Sequence, residues 1–234
     1  MTSTLAACAG TPSSIASVRP GQETVVLLHG LGRSARAMAP LEKHLEEAGY
    51  QVVSIDYPTL RETPERVMAE VARQIDACCV GEASTLHFVG HSLGGLVARA
   101  YIAEHQPAGL GRVVVIGSPN KGTAVVDHYR DKWWFEILGP TAAMLGTGEH
   151  SFGATLEPPH YPLGVIAGHK PSNNDDVLPG ADDGLVTIDS TRVEGMTDFL
   201  VVPTGHAGLR YDEDVARQTI HFLSNGRFSG ATRS

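Results

Sequence analysis

The segment Gly90-His91-Ser92-Leu93-Gly94 carries the strongest chemical signal in this 234-residue chain. Its two glycines flank the serine at a distance of two positions, where a sharply turning chain has no room for side chains. The apolar run Thr85–Val89 precedes the segment, and a helix is predicted to begin near Leu93. A glycine-serine-glycine turn between a strand and a helix is typical of a nucleophile elbow, which presents a serine hydroxyl at a helix N-terminus. The sequence therefore predicts that Ser92 is a nucleophile.

A serine nucleophile needs a general base and a carboxylate that orients the base. His206 follows the apolar run Phe199–Val202 directly, so we expect it at the sheet edge where the elbow opens. The segment Asp182-Asp183 precedes it in the chain, in the order serine, acid, histidine that such folds use. His206 is the predicted base. The spacing alone leaves both Asp183 and Asp182 open as the acid.

The loop after the first apolar run supplies a further component. That run, Thr24–Leu28, ends at His29-Gly30-Leu31-Gly32. Acyl transfer is helped by two backbone N–H groups that hold the developing oxyanion, one after the nucleophile and one from an early loop. We expect these donors to be the N–H groups of Leu93 and Leu31. His29 is expected to orient the loop by hydrogen bonds rather than to take part in the reaction.

The elements that must position these residues alternate regularly between strand and helix. Thr63, followed by Pro64, is a predicted helix cap, and so is Ser34. Alternation of apolar strands with amphipathic helices predicts an α/β protein with a mostly parallel, doubly wound sheet and helices on both faces. About six strands are expected: Thr24–Leu28, Gln51–Tyr57, Thr85–Val89, Arg112–Ile116, Leu163–Ala167 and Phe199–Val202.

One domain is predicted over residues 23–225, between a flexible N-terminal arm at 1–22 and a polar tail at 226–234. Residues 120–160 interrupt the regular alternation with aromatic, glycine and proline residues. We expect this stretch to form a lid-like excursion. Its aromatic residues Trp133, Trp134 and Phe135 are predicted to line a substrate pocket, with ordinary packing against the sheet as the alternative.

The net charge of −8 argues against nucleic acid as a partner, because phosphate backbones require a basic face. It also predicts a mild bias against anionic substrates.

No apolar stretch reaches the ~18 residues that a membrane span needs. No cofactor or metal is predicted: the acidic loop Asn173-Asn174-Asp175-Asp176 and Asp182 lack the alternating spacing of a calcium loop, so we expect a solvated loop.

The three cysteines do not suggest a disulfide framework. Cys78 and Cys79 are adjacent, and we expect them to be reduced. Leu5-Ala6-Ala7-Cys8 is similar to a lipobox, but a signal would also need a basic region and a longer apolar run before it. The compartment stays open: cytoplasmic as the sequence stands, or secreted or lipid-anchored if a signal segment upstream of Cys8 is missing.

Taken together, these motifs resemble the bacterial family I lipases, including their small lidless members, and related α/β-hydrolase esterases. The matching segments, which lie within residues 25–223, are Leu28-His29-Gly30-Leu31-Gly32, Gly90-His91-Ser92-Leu93-Gly94-Gly95, Ile116-Gly117-Ser118-Pro119-Asn120-Lys121-Gly122, Asp183-Gly184-Leu185-Val186 and Gly205-His206-Ala207-Gly208-Leu209. The resemblance implies the α/β-hydrolase fold and hydrolysis of carboxylic esters through an acyl-enzyme. It also implies Asp183 as the acid and His206 as the base.

Two features depart from that family. Asn120 stands where such lipases often have a histidine, so local packing is expected to differ. The 120–160 excursion is longer than in the smallest members.

The expected substrate is a small-molecule acyl ester or a lipid. A thioester, amide or lactone would use the same chemistry, and a non-catalytic binding module on the same scaffold is the alternative from another class. The sequence leaves the oligomeric state open.

Overall fold

A single sheet of six parallel strands forms the centre of the protein in the computed structural model, which describes residues 21–79, 85–170 and 176–230. The strand order is β2-β1-β3-β4-β5-β6. The strands are β1 (Glu23–Leu28), β2 (Gln51–Ile55), β3 (Thr85–His91), β4 (Leu110–Ile116), β5 (Leu163–Gly168) and β6 (Asp198–Val202). The predicted fold class is confirmed. Because all strands run in one direction, their carboxyl ends meet at one edge, where α/β folds place their sites.

Helices cover both faces of this sheet. They are α1 (Ala39–Glu47), α2 (Pro64–Cys78), α3 (Leu93–His105), α4 (Ala124–Tyr129), α5 (Pro140–Ala143), α6 (Ile188–Thr191) and α7 (Glu213–Asn225), with short 3₁₀ helices at Ala35–Met38, Phe135–Leu138 and Leu209–Tyr211. Side chains of β1 alternate between the faces: Val26 packs with α2 and α3, and Val25 packs with α1 and α7. We call these the α2/α3 face and the α1/α7 face. This alternation follows from the period of two in a strand.

The two predicted helix caps have different outcomes. The Thr63 hydroxyl accepts a hydrogen bond from the Arg66 N–H, 3.4 Å away, as predicted for the start of α2. The Ser34 prediction is wrong, since its side chain makes no capping hydrogen bond. The neighbouring Ala35 N–H instead donates to Asp56 Oδ1 at 2.8 Å, so a residue from the end of β2 takes the place of the local cap.

Cys78 and Cys79 form a disulfide, which corrects the expectation that both are reduced. Both residues are buried at the end of α2. Cys78 is the last helical residue, and Cys79 leaves the helix with a φ of −127° and a ψ of −27°, so the side chains do not diverge as helical neighbours do. Cys8 and its lipobox-like segment lie outside the described residues.

The 120–160 excursion packs onto the α2/α3 face. Val126, Phe135, Leu145 and Phe152 are buried there. In contrast, Trp133 is 81% exposed. Of the predicted acidic loop, residues 173–175 lie outside the described part of the chain. Within the described ranges, no helix is both long enough and apolar enough to cross a membrane.

Candidate active site

Ser92 lies between the last residue of β3 and the first residue of α3, in a strained backbone conformation with φ 56° and ψ −125°. A residue with a side chain held at such angles costs of order 1–3 kcal/mol, and the surroundings must impose it. The Ser92 N–H donates to the Ile116 carbonyl at 2.8 Å, and the Ser92 carbonyl accepts from the Gly95 N–H at 3.1 Å. These bonds hold the serine at the top of the sheet.

The glycines of the elbow are required by close backbone contacts. A Cβ on Gly90 would overlap the backbone of Gly94, and a Cβ on Gly94 would overlap the carbonyl groups of Leu28 and His29. The first turn of α3 therefore rests directly on the end of β1. This contact places the elbow beside the loop that follows β1.

A continuous hydrogen-bonded series runs from Ser92 through His206 to Asp183. The His206 ring places Nε2 3.0 Å from Ser92 Oγ and Nδ1 2.7 Å from Asp183 Oδ2. A carboxylate only accepts hydrogen bonds, so Nδ1 carries the proton and Nε2 is free to accept one from the serine hydroxyl. The residues come from the ends of three different strands or the loops after them.

The structure brings Asp183, and not Asp182, to the imidazole. The second oxygen of the Asp183 carboxylate, Oδ1, accepts from the N–H groups of Leu185 at 3.0 Å and Val186 at 2.8 Å. Asp182 is turned away, and its Oδ1 accepts from the Gly184 N–H at 2.6 Å. Both carboxylates are buried, so each needs the partners it has.

His91 holds the backbone of His206, a role that the sequence analysis did not identify. Its Nε2 donates to the His206 carbonyl at 3.0 Å, and the two rings lie 5.0 Å apart. Burial holds the pKa of His91 well below its usual value, and the nearby His206 lowers it further. His91 is therefore a neutral positioning group. The only sequence signal was its place next to Ser92 in the elbow.

His29 makes the loop contacts expected of an orienting residue. Its ring stacks on Tyr57 with centroids 4.1 Å apart, and Nδ1 lies 2.9 Å from the Gly30 carbonyl. The Tyr57 hydroxyl donates to the His29 carbonyl at 2.5 Å. The Gly32 N–H is taken by Thr59 Oγ1 at 2.8 Å. These bonds fix the loop that carries Leu31 beside the elbow.

The two expected oxyanion donors lie in the loop after β1 and at the start of α3. Leu31 lines the same cavity as the serine. Leu93 is the first residue of α3, where the N–H groups of the first turn have no acceptor within the helix.

An apolar cavity of about 410 Å³ opens at Ser92 and His206. One wall comes from the 120–160 excursion and consists of Thr123, Val125, Val126, Tyr129, Trp134, Phe135, Leu138 and Leu145. Trp134 and Phe135 thus lie where a pocket was predicted, whereas Trp133 is not part of the wall. Arg33 and Arg210 also line this cavity.

Asn120 anchors the start of the excursion. Its side-chain oxygen accepts from the Arg99 guanidinium at 2.7 Å, and its nitrogen donates to the Thr191 carbonyl at 2.8 Å. Arg99 is buried on α3, and burial lowers its pKa. The asparagine therefore connects α3 and α6 through a buried polar network.

Residues 24–154 match the family model described as palmitoyl protein thioesterase. Among curated proteins, a 2-hydroxy-6-oxononadienedioate/2-hydroxy-6-oxononatrienedioate hydrolase of Escherichia coli is 28% identical over 120 residues. That match covers 45% of this chain and 39% of the relative, so the chain spans well under half the length of the curated relatives it matches.

Two solved structures illustrate the likeness of the fold. A Bacillus licheniformis lipase in its mature form is similar with a TM-score of 0.70 and 20% identity, over 92% of this chain and 96% of the lipase. A carboxylesterase structure from Nitrososphaera gargenis is similar with a TM-score of 0.59 and 15% identity, over 88% and 91%. Both likenesses extend over most of each chain.

Proposed function

This chain belongs to the palmitoyl protein thioesterase family, and we propose that it is a serine hydrolase that cleaves carboxylic esters through an acyl-enzyme. Ser92 is the nucleophile, His206 the general base and acid, and Asp183 the residue that orients the imidazole. The observation that carries the proposal is the hydrogen-bonded series from Ser92 Oγ to Asp183 at the mouth of an apolar cavity.

In the first half of the reaction, Ser92 Oγ attacks the ester carbonyl while His206 Nε2 takes the hydroxyl proton. The carbonyl oxygen becomes an oxyanion that the N–H groups of Leu31 and Leu93 stabilise. One such donor is typically worth about 2.7–4 kcal/mol of the barrier. Asp183 stabilises the imidazolium without taking its proton. The carbon–oxygen bond to the leaving group then breaks, and His206 gives the proton to the departing alcohol.

The second half repeats these steps with water. His206 takes a proton from a water molecule, whose oxygen attacks the acyl carbonyl. The bond to Ser92 Oγ breaks, the proton returns to the serine, and a carboxylic acid leaves. The acyl group lies against the apolar wall of the excursion during both halves.

A thioester is the second candidate substrate, and the family match is the observation that favours it. The same three residues can cleave a thioester, because the only difference is that a thiol leaves instead of an alcohol. Matched oxygen and sulfur esters of one acyl group, compared by kcat/KM, separate the two candidates.

A fluorophosphonate probe tests the nucleophile. We expect it to label the wild-type protein and not Ser92→Ala, while the control Ser118→Ala, which changes a buried serine behind the elbow, stays labelled. Equal labelling of wild type and Ser92→Ala would overturn the proposal.

A series of p-nitrophenyl esters with increasing acyl length then narrows the substrate. Rates that peak at about two to four carbons would favour an esterase, and rates that peak at longer chains a lipase. The Ser92→Ala variant should have no activity on any p-nitrophenyl ester of the series.

A further inference from the structure

The cavity at Ser92 has two chemically different halves. Its apolar wall, with Val126, Phe135 and Leu145, belongs to the core of the α2/α3 face. The remaining wall includes Arg33, on the loop after β1, and Arg210, in the short helix after His206. The helices that adjoin these arginines, Ala35–Met38 and Leu209–Tyr211, contact each other, and their buried residues Met38 and Leu209 belong to the core of the α1/α7 face.

Among the described residues, Arg210 is a buried cation without a counter-charge. The residue is only 8% exposed, and its Nε is fully buried without a hydrogen-bond partner. Its guanidinium lies 4.6 Å from the ring centroid of the adjacent Tyr211, which is half-exposed. In the part of the chain that the structure describes, no carboxylate forms an ion pair with Arg210 or Arg33, whereas several exposed arginines do have such partners.

A buried guanidinium without an anionic partner is costly, and an anion bound beside it would offset that cost. Planar guanidinium groups match carboxylate and phosphate oxygens with two parallel hydrogen bonds. Burial is the main cause of the low pKa of His91, and the charges of Arg210 and Arg33 add to it, so both cations lie within electrostatic reach of the residue beside Ser92. The excess of acidic residues over the whole chain therefore does not extend to this end of the cavity.

We propose that the substrate carries an anionic group, a carboxylate or a phosphate, in its leaving group, and that Arg210 binds this group with help from Arg33. This inference rests on the proposed function. His206 must deliver a proton to the leaving group, so the leaving group lies on the His206 side of the site. Arg210 follows His206 in the same segment, and its short helix packs with α1 and α7, whereas the apolar excursion packs on the other face of the sheet. The acyl group occupies the apolar half.

The test uses three butanoyl esters that differ only in the leaving group: glycolamide, which is neutral, glycolate, which adds a carboxylate, and 2-hydroxyethyl phosphate. We expect kcat/KM of the wild type to be about tenfold to a hundredfold higher for at least one anionic ester than for the glycolamide ester, as a charged hydrogen bond allows. The anionic ester with the higher kcat/KM shows whether the site prefers a carboxylate or a phosphate. Equal values for all three esters would overturn the inference.

Substitutions test whether Arg210 causes the preference for an anionic leaving group. Arg210→Gln should remove most of the preference, measured as the ratio of kcat/KM for the anionic ester to kcat/KM for the glycolamide ester, and Arg210→Lys should keep part of it. Arg36→Gln removes a nearby exposed charge that does not line the cavity, and should keep the full preference. A uniform loss on all three esters in Arg210→Gln, with the preference unchanged, would also count against the inference.

A measurement on the wild type alone avoids any folding defect of the variants. Inorganic phosphate or glycolate should slow labelling of Ser92 by the fluorophosphonate probe, and glycolamide should not. Equal effects of the three compounds would overturn the inference but leave the proposed function standing. Failure of the probe to label Ser92 in their absence would instead overturn the proposed function.

Discussion

Asp182 and Asp183 show how strongly single side chains differ in this site. Asp183 uses one oxygen for His206 and the other for the N–H groups of Leu185 and Val186. Asp182 instead accepts from the Gly184 N–H and pairs with Thr187 in an isolated antiparallel bridge. The first carboxylate therefore faces the imidazole, and the second stabilises the loop that carries it.

Replacing these two residues separately tests that division. Asp183→Asn should lower kcat by up to about 10⁴-fold, because an amide can hold the imidazole in the wrong tautomer. Asp182→Asn keeps an acceptor for the Gly184 N–H and should lower kcat by less than about tenfold. Steady-state kinetics on one ester measures both. A larger loss in Asp182→Asn than in Asp183→Asn would contradict the assignment.

At the scale of elements, the elbow depends on the close approach of α3 to β1. Gly94 faces carbonyl groups of the strand end, which have no freedom to move aside, whereas Gly95 faces the hydroxyl of Ser118. A backbone obstacle is harder to relieve than a side chain. The two adjacent glycines should therefore differ in their tolerance of a methyl group.

Gly94→Ala should destabilise the fold by about 3 kcal/mol, at the upper end for overpacking. Gly95→Ala should cost less, because its obstacles are the side chains of Ser118 and Val115 rather than backbone, and alanine favours a helix by about 1 kcal/mol. Urea unfolding with an unchanged m-value gives both free energies. A Gly95→Ala variant less stable than Gly94→Ala would contradict this account.

The 120–160 excursion is the second element with a specific role. Phe135 is buried in the cavity wall, and Trp133 is exposed and not part of that wall. The mobility that a lid requires remains a prediction. The wall, however, is already formed in the structure.

Phe135→Ala should therefore lower kcat/KM for longer acyl esters by about tenfold or more and affect acetate esters less, because the lost contacts are those of the acyl chain. Trp133→Ala should leave kcat/KM for both kinds of ester within about twofold of the wild-type values. The comparison uses soluble p-nitrophenyl esters. A loss in Trp133→Ala without one in Phe135→Ala would place the acyl group elsewhere.

At the scale of the whole molecule, three histidines are buried beneath the site and in the sheet. Burial is the largest cause of a lowered pKa in His29, His87 and His91, so folding disfavours the charged form of all three. In the unfolded chain they take up protons near pH 6.5. Below that pH the unfolded state binds more protons than the folded state, so the free energy of unfolding decreases as the pH falls.

The free energy of unfolding should accordingly decrease from about pH 6.5 downward, by at most about 1.4 kcal/mol per pH unit for each histidine. His91→Gln keeps a donor for the His206 carbonyl and should make this decrease shallower. The exposed His150 provides a control, since His150→Gln should leave the slope unchanged. Urea unfolding at several pH values measures the slope. An unchanged slope in His91→Gln would show that this histidine does not contribute.

The sequence by itself determined the parallel sheet, the position of the elbow and the family resemblance, because these follow from short-range periodicity and from turn geometry. It also singled out His206 and left Asp183 and Asp182 open. Local patterns do not report which way neighbouring side chains point.

Only the tertiary structure decided the features that depend on distant contacts. The hydrogen bond from His91 to the His206 backbone joins residues 115 positions apart. The Cys78–Cys79 disulfide depends on how the chain leaves α2. The burial of Arg210 beside Ser92 depends on how the loops after β1 and β6 meet above the sheet. An overall acidic composition gave no sign of that cation, because charge counts carry no information about position.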